Sequence, residues 1–190
     1  MSRIHTIALT AITLASLHGA ASAADIHVGA SVGRSDYRID TTGATSADTK
    51  DTASKVFVDA AITPNLGVEA TLFDLGRTSG TVVVAGVGTV NASARVRGIG
   101  VSGVLSAPVG PVSLFVKAGI ANVRARAETS VNTGLPGSES SWQPTLGFGV
   151  SYPIASQVAV RGEWERVRTR FPGGEKDNVD MLSVGVSYRF

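Results

Sequence analysis

The sequence predicts an all-β fold, an eight-stranded antiparallel up-and-down transmembrane β-barrel, and three observations carry that expectation. First, the last ten residues alternate strictly: Leu182, Val184, Val186, Tyr188 and Phe190 share one strand face, and Ser183, Gly185, Ser187 and Arg189 share the other. Second, the chain after the N-terminal segment divides into eight such stretches whose connections alternate between short and long. Third, Lys55, Asp59, Glu69, Lys117, Arg161, Glu163 and Glu165 all occupy the parity opposite the apolar residues of their strands. A basic side chain facing lipid at the bilayer midplane costs roughly 2–4 kcal/mol, so the charged face must point inward and the apolar face outward.

Met1 to Ala23 reads as a signal peptide. Arg3 precedes an apolar stretch from Ile7 to Leu17, and small residues Ala21, Ser22 and Ala23 lead into Ala24-Asp25. The apolar stretch is shorter than the ~20 residues of a bilayer-crossing helix. The expected organisation is a leader over 1–23 and one barrel domain over 24–190.

The first strand is expected over Ile26–Arg34, with Ile26, Val28, Ala30 and Val32 on one face. The second and third, Ser54–Ile62 and Gly67–Leu75, flank Thr63-Pro-Asn-Leu66, a turn by its Pro-Asn chemistry. Ala94–Leu105 and Val112–Val123 follow, joined by Ser106–Pro111. Trp142–Tyr152 and Gln157–Val167 are joined by Pro153–Ser156, and Val179–Phe190 completes the set. The fourth strand carries a conflict, because Arg95 and Arg97 share parity with Ile99, Val101 and Leu105. A bulge at Gly98 or Gly100 would switch the parity and turn both arginines inward.

Four long connections, Ser35–Thr52, Gly76–Ser93, Arg124–Ser141 and Arg168–Asn178, are rich in Gly, Ser, Thr, Asp and Asn. Membrane barrels have short periplasmic turns and longer extracellular loops, so both termini are expected in the periplasm of a Gram-negative envelope. Within the second long connection, Thr81–Val87 has the β-propensity to extend a hairpin above the membrane or to offer an edge to a partner. Trp142, Tyr152, Trp164, Tyr188 and Phe190 lie on outward parity, as aromatic girdles do.

Composition excludes other classes. There is no cysteine, hence no disulfide framework, and 17 basic residues, one of them Arg3 in the leader, face 15 acidic ones. That balance gives no case for nucleic-acid binding. Gly98–Val116 is uncharged, yet Pro108 and Pro111 near its centre break any transmembrane helix. Gly98–Gly103 matches G-x-G-x-x-G in letters but opens no helix, so it predicts no dinucleotide. No cofactor and no metal are expected.

Lys55 to Gly76 resembles the second hairpin of the small OmpA-like outer-membrane barrels, related to the opacity-type surface proteins. Ser183 to Phe190 resembles that family's assembly signal, with Leu182, Val184, Val186, Tyr188 and Phe190 as its outward positions. The resemblance implies that the barrel-assembly machinery reads Tyr188 and Phe190, and that members serve as envelope components, adhesins or serum-resistance factors. With the chain ending at Phe190, the peptidoglycan-binding domain of full-length OmpA proteins is not expected, nor is direct cell-wall anchoring.

Three functional classes follow: an envelope or adhesion protein, a narrow channel for small solutes, and a lipid-modifying enzyme. An enzyme is disfavoured because His27, the one histidine after the leader, starts the first strand far from every long loop. A channel is disfavoured by near-balanced inward charge: Lys55, Arg95, Arg97, Lys117 and Arg161 against Asp59, Glu69, Glu163 and Glu165. Such a set suits a closed, salt-bridged lumen in a barrel whose interior side chains just fill. The expected partners are outer-membrane lipid, the assembly machinery, and a host or surface ligand reached through loops 36–52, 76–93, 124–141 and 168–178. Arg124, Arg126, Arg166, Arg168 and Arg170, at the outer ends of the fifth and seventh strands, suit either contact with lipopolysaccharide phosphates or a solvated basic rim where the strand register has frayed.

Overall fold

Alternation forces every segment to present one face outward and one inward, and the only arrangement that also satisfies every edge in lipid is a closed sheet. The computed structural model describes residues 25–38, 46–84, 88–129, 138–170 and 176–190; the expected leader lies outside them. The strands are β1 (Ile26–Arg38), β2 (Ser46–Asp48), β3 (Lys50–Ala61), β4 (Leu66–Val84), β5 (Gly88–Val109), β6 (Val112–Thr129), β7 (Ser138–Pro153), β8 (Val158–Arg170) and β9 (Lys176–Arg189). They pair antiparallel in the order β4-β3-β1-β9-β8-β7-β6-β5, and β4 pairs with β5 to close eight strands into a barrel. Short β2 adds to the upper part of β4, opposite Ser79–Thr81. The first and last strands, β1 and β9, meet at the seam, where Phe190 N donates to Ile26 O at 3.0 Å.

One end of the barrel carries tight turns. Thr63 Oγ1 accepts from Leu66 N at 3.0 Å in the first. The second contracts to Gly110-Pro111, because Ser106–Val109 continues β5 and Gly110 adopts a φ of 61° that only glycine holds at no steric cost. At the opposite end the strands run well past their expected limits. β4 reaches Val84, pairing with Gly88, so the Thr81–Val84 part of the apolar run extends a hairpin; Ala85–Val87 lies outside the described residues.

The outward face forms an apolar belt that includes Val32, Leu72, Ile99, Val101, Ile120, Phe148, Leu182 and Val184, all exposed. The belt ends abruptly toward the long loops. The next outward positions are Arg34, Asp74, Arg97, Asn122, Arg166 and Asp180.

The expected bulge in the fourth barrel strand is corrected. β5 runs in unbroken register with β6 from Ala92 to Val109, through Gly98 and Gly100. The bulge sits instead in β4, between the pairs Asp74–Arg97 and Arg77–Arg95, where Gly76 takes a φ of 77°. Gly98 serves another purpose: a Cβ there would come within 2.4 Å of the inward Phe73 ring. Arg95 and Arg97 therefore point outward, with Arg97 side-chain exposure at 59% and Val96 between them fully buried. They avoid the lipid penalty because they stand above the belt, not because the strand changes face.

Candidate functional site

The interior holds two layers. Toward the short turns, strands β3, β4, β6 and β8 aim charged side chains at one another across the lumen. Lys117 Nζ donates to Glu69 Oε1 at 2.7 Å and to Glu165 Oε2 at 2.8 Å, and also pairs with Glu163. Lys55 Nζ lies 2.7 Å from Glu163 Oε1 and 3.1 Å from Glu165 Oε2. Arg161 donates to Asp59 Oδ2 at 3.0 Å and to Glu69 Oε2 at 2.6 Å, and its Nε lies 3.0 Å from Glu163 Oε2. Its guanidinium is bracketed by the Phe57 and Phe115 rings, with centroids 4.6 and 4.1 Å away.

With Arg95 and Arg97 outside, the described inner cluster is three cations against four carboxylates, Asp59, Glu69, Glu163 and Glu165. The expected five cations are thus reduced by two. The aromatic brackets were not singled out in the sequence, although Phe57 and Phe115 share the parity of Lys55 and Lys117. Each ring needs a neighbour without a side chain: a Cβ on Gly29 would meet Phe57 at 2.3 Å, and one on Gly149 would meet Phe115 at 2.4 Å.

Toward the long loops the same inward parity turns apolar. Tyr37, Phe73, Leu75, Val96, Val123, Val167, Val179 and Met181 pack into one buried cluster. The β4 bulge hands its carbonyls to β1: Ser35 Oγ donates to Leu75 O at 2.6 Å, and the Tyr37 hydroxyl donates to Leu75 O at 3.1 Å and Gly76 O at 3.0 Å. Sequence reasoning missed this layer because turning Arg95 and Arg97 inward put Val96, which is fully buried, on the outer face. The available signal was Met181, Val179 and Val167, which sit on the inward parity of strands already assigned.

His27 faces a cavity of about 270 Å³ at the short-turn end, shared with Asp25, Asp59 and Arg161. Of the aromatics, Trp142, Tyr152, Tyr188 and Phe190 are exposed on the outer face, and Tyr188 and Phe190 meet edge to face at 4.9 Å. Trp164 stacks against Phe148 at 5.2 Å and lies one outward position below Arg166, whose guanidinium sits 5.1 Å above its ring. Leu182, Val184 and Val186 continue the same outer face of β9.

The rim arginines separate into two groups. Arg166 forms a fork on Asp180, 2.6 and 2.8 Å, and Arg38 adds a third contact at 2.8 Å. The Arg166 hydrogen bonds hold the Asp180 carboxyl below the usual carboxylate range. Arg170 lies 3.9 Å from Glu139. Arg168 is exposed on the same strand. Arg124 and Arg126 stand elsewhere, beside Arg95 and Arg97 on the β5–β6 wall.

Comparison with known proteins agrees with this geometry. The family model of the outer membrane protein beta-barrel domain matches residues 7–190. Outer membrane protein A of Citrobacter freundii is 36% identical over 69 residues, covering 34% of this chain and 29% of that protein. Neisserial surface protein A superposes with a TM-score of 0.56 at 17% identity, covering 87% of this chain and 97% of that one. The attachment invasion locus protein Ail of Yersinia pestis, solved with the heparin analogue sucrose octasulfate, gives 0.52 at 15%, covering 88% and 97%.

Proposed function

Because the chain belongs to the outer membrane protein beta-barrel domain family, it is an outer-membrane barrel, and we propose that it acts as an envelope or surface-interaction protein with a closed lumen. The carrying observation is the interior: the Lys55–Lys117–Arg161 network fills one half and the Tyr37–Leu75–Met181 cluster fills the other. In this reading the leader 1–23 is removed, the barrel comprises 24–190, and both termini and the short turns face the periplasm. Tyr188 and Phe190 guide assembly, and the long connections over 36–52, 76–93, 124–141 and 168–178 present the surface for a ligand. His27 is structural, being at the short-turn end beside Asp25, so no lipid-modifying chemistry is assigned.

The test has three arms. Unboiled and boiled outer-membrane fractions should run at different gel mobilities, and the mature N-terminus should be Ala24. Reconstituted barrels should give no porin-sized currents in planar bilayers; sustained conductance would replace the closed-lumen reading by a channel. Cells expressing the protein should bind host surfaces or matrix in a manner lost when the long connections are shortened. Heparin, whose analogue Ail holds in its structure, is a practical first soluble probe of those loops.

A further inference from the structure

Strand register places like charges opposite one another on the β4–β5–β6 wall. Arg95 pairs with Arg126 and Arg97 with Arg124 across β5–β6, and Arg77 pairs with Arg95 across β4–β5. Directly opposed like charges destabilise a strand pair, so two consecutive outward arginine pairs require a compensating anion. Among the described residues Asp74 is the carboxylate on which Arg95 and Arg97 both converge, at 2.5 and 2.9 Å, and Asp51 stands at the β4 edge of the cleft, accepting from Arg77 N at 2.6 Å. One carboxylate serves two guanidinium groups here, and Arg124 and Arg126 face the same cleft. By contrast, the β3–β1–β9–β8 wall carries a cleft of about 300 Å³ whose cations Arg34, Arg38 and Lys50 share it with Asp36 and Asp180: the Arg166 fork and Arg38 close on Asp180, and Lys50 lies 3.7 Å from Asp36.

The arginines Arg77, Arg95, Arg97, Arg124 and Arg126, with Ser93, line an open cleft of about 210 Å³. Its position selects among anions. It lies on the outer wall, one outward-facing pair above Ile99 and two above Val101, both more than half exposed in the apolar belt. A ligand seated here meets guanidinium groups at its head and a hydrocarbon-facing surface at its tail. Guanidinium forks match phosphate oxygens two at a time.

We propose that this cleft is a phosphate-binding site for a phosphorylated glycolipid of the outer leaflet, a lipopolysaccharide, whose acyl chains run down over Ile99, Val101 and Ile120. The inference rests on the outer-membrane reading above but moves the lipid site from β6 and β8 together to the β4–β5–β6 wall alone. Arg166 and Arg170 take no part in it.

The experiment compares wild type, Arg97→Gln/Arg124→Gln, and Arg34→Gln, an exposed rim cation on β1 outside the cleft. Gel mobility before and after boiling is checked first; wild type without a shift would mean that the barrel reading fails, independently of the site. Detergent-solubilised folded barrels are then titrated with lipopolysaccharide and with the same material after enzymatic dephosphorylation. Wild type and Arg34→Gln should prefer the phosphorylated form by about tenfold or more, and the double variant should lose that preference, each guanidinium contact to an anion contributing roughly a tenfold factor. No preference in wild type overturns the site without any variant, so failure of the double variant to fold leaves the test intact. Equal loss in Arg34→Gln also overturns it, as a diffuse rim effect. Displacement by inorganic phosphate at equal phosphate concentration would assign the cleft to free anions, and displacement by heparin alone to a soluble polyanion; either rejects the glycolipid.

Discussion

The two halves of the barrel interior fill the same kind of space with opposite chemistry. Near the short turns, Lys55 on β3 and Lys117 on β6 both reach Glu165 on β8, so the contacts join strands that are not sheet neighbours. Near the long loops, Val96, Val167, Val179 and Met181 merely fill volume, and the polar contacts there, from Ser35 and Tyr37, serve the β4 bulge. The difference lies in what each half demands. An apolar cluster is non-directional and tolerates shape changes, whereas buried charges require complete pairing, because a stranded member loses both its partner and its water.

Removing one member of the charged half should therefore have the largest effect. Lys117→Met leaves Glu69, Glu163 and Glu165 short of a shared cation and should cost about 3–5 kcal/mol, measured by urea unfolding of the barrel in phospholipid vesicles. A loss below that of an apolar truncation would collapse the distinction between the halves. In the apolar half, Leu75→Ala should cost roughly 2–5 kcal/mol, its position within that range reporting how far Tyr37 and Phe73 relax into the space. Met181→Leu sharpens the contrast, since a volume-conserving exchange there should cost less than about 1.5 kcal/mol.

The smallest effect is expected at the partly exposed rim, outside both halves. Asp180→Asn should change stability by no more than about 1 kcal/mol, since Arg166 and Arg38 are 37% and 64% exposed. Its pH dependence has a definite sign. The folded-state pKa of Asp180 is lowered, so its contribution is present above the ordinary carboxylate value and is lost as pH falls through the lower folded one. The difference in stability between wild type and Asp180→Asn should accordingly vanish in acid; a difference that grows there would refute the ion pair.

Much of the barrel was legible because its strands report their faces locally. Lys55, Asp59, Glu69, Lys117, Arg161, Glu163 and Glu165 declared their side by parity alone, since period two is a property of the strand backbone. Arg95 and Arg97 were misplaced where that rule was overridden: parity put them with Ile99 on the outer face, and a bulge was invoked to hide their charge. Parity says which face a residue occupies but not whether that face, at that height, touches lipid or water. Those two arginines follow Ile99 on an unbroken strand and simply emerge above the belt. The bulge that their misreading placed at Gly98 belongs to Gly76, where no charge conflict announced it.

The sequence by itself determined the eight membrane segments, the short and long ends and, although Arg95 and Arg97 were hidden wrongly, the inward face of every charge in the lumen cluster. Only closure of the barrel decided which of those charges meet, because Lys117 finds Glu69 and Glu165 through register summed around the whole wall. The Gly110-Pro111 turn, through the β5–β6 hairpin register, set Arg95 opposite Arg126. Alternation is encoded residue by residue, whereas register around the closed wall is a property of eight strands that must all satisfy their backbone hydrogen bonds at once.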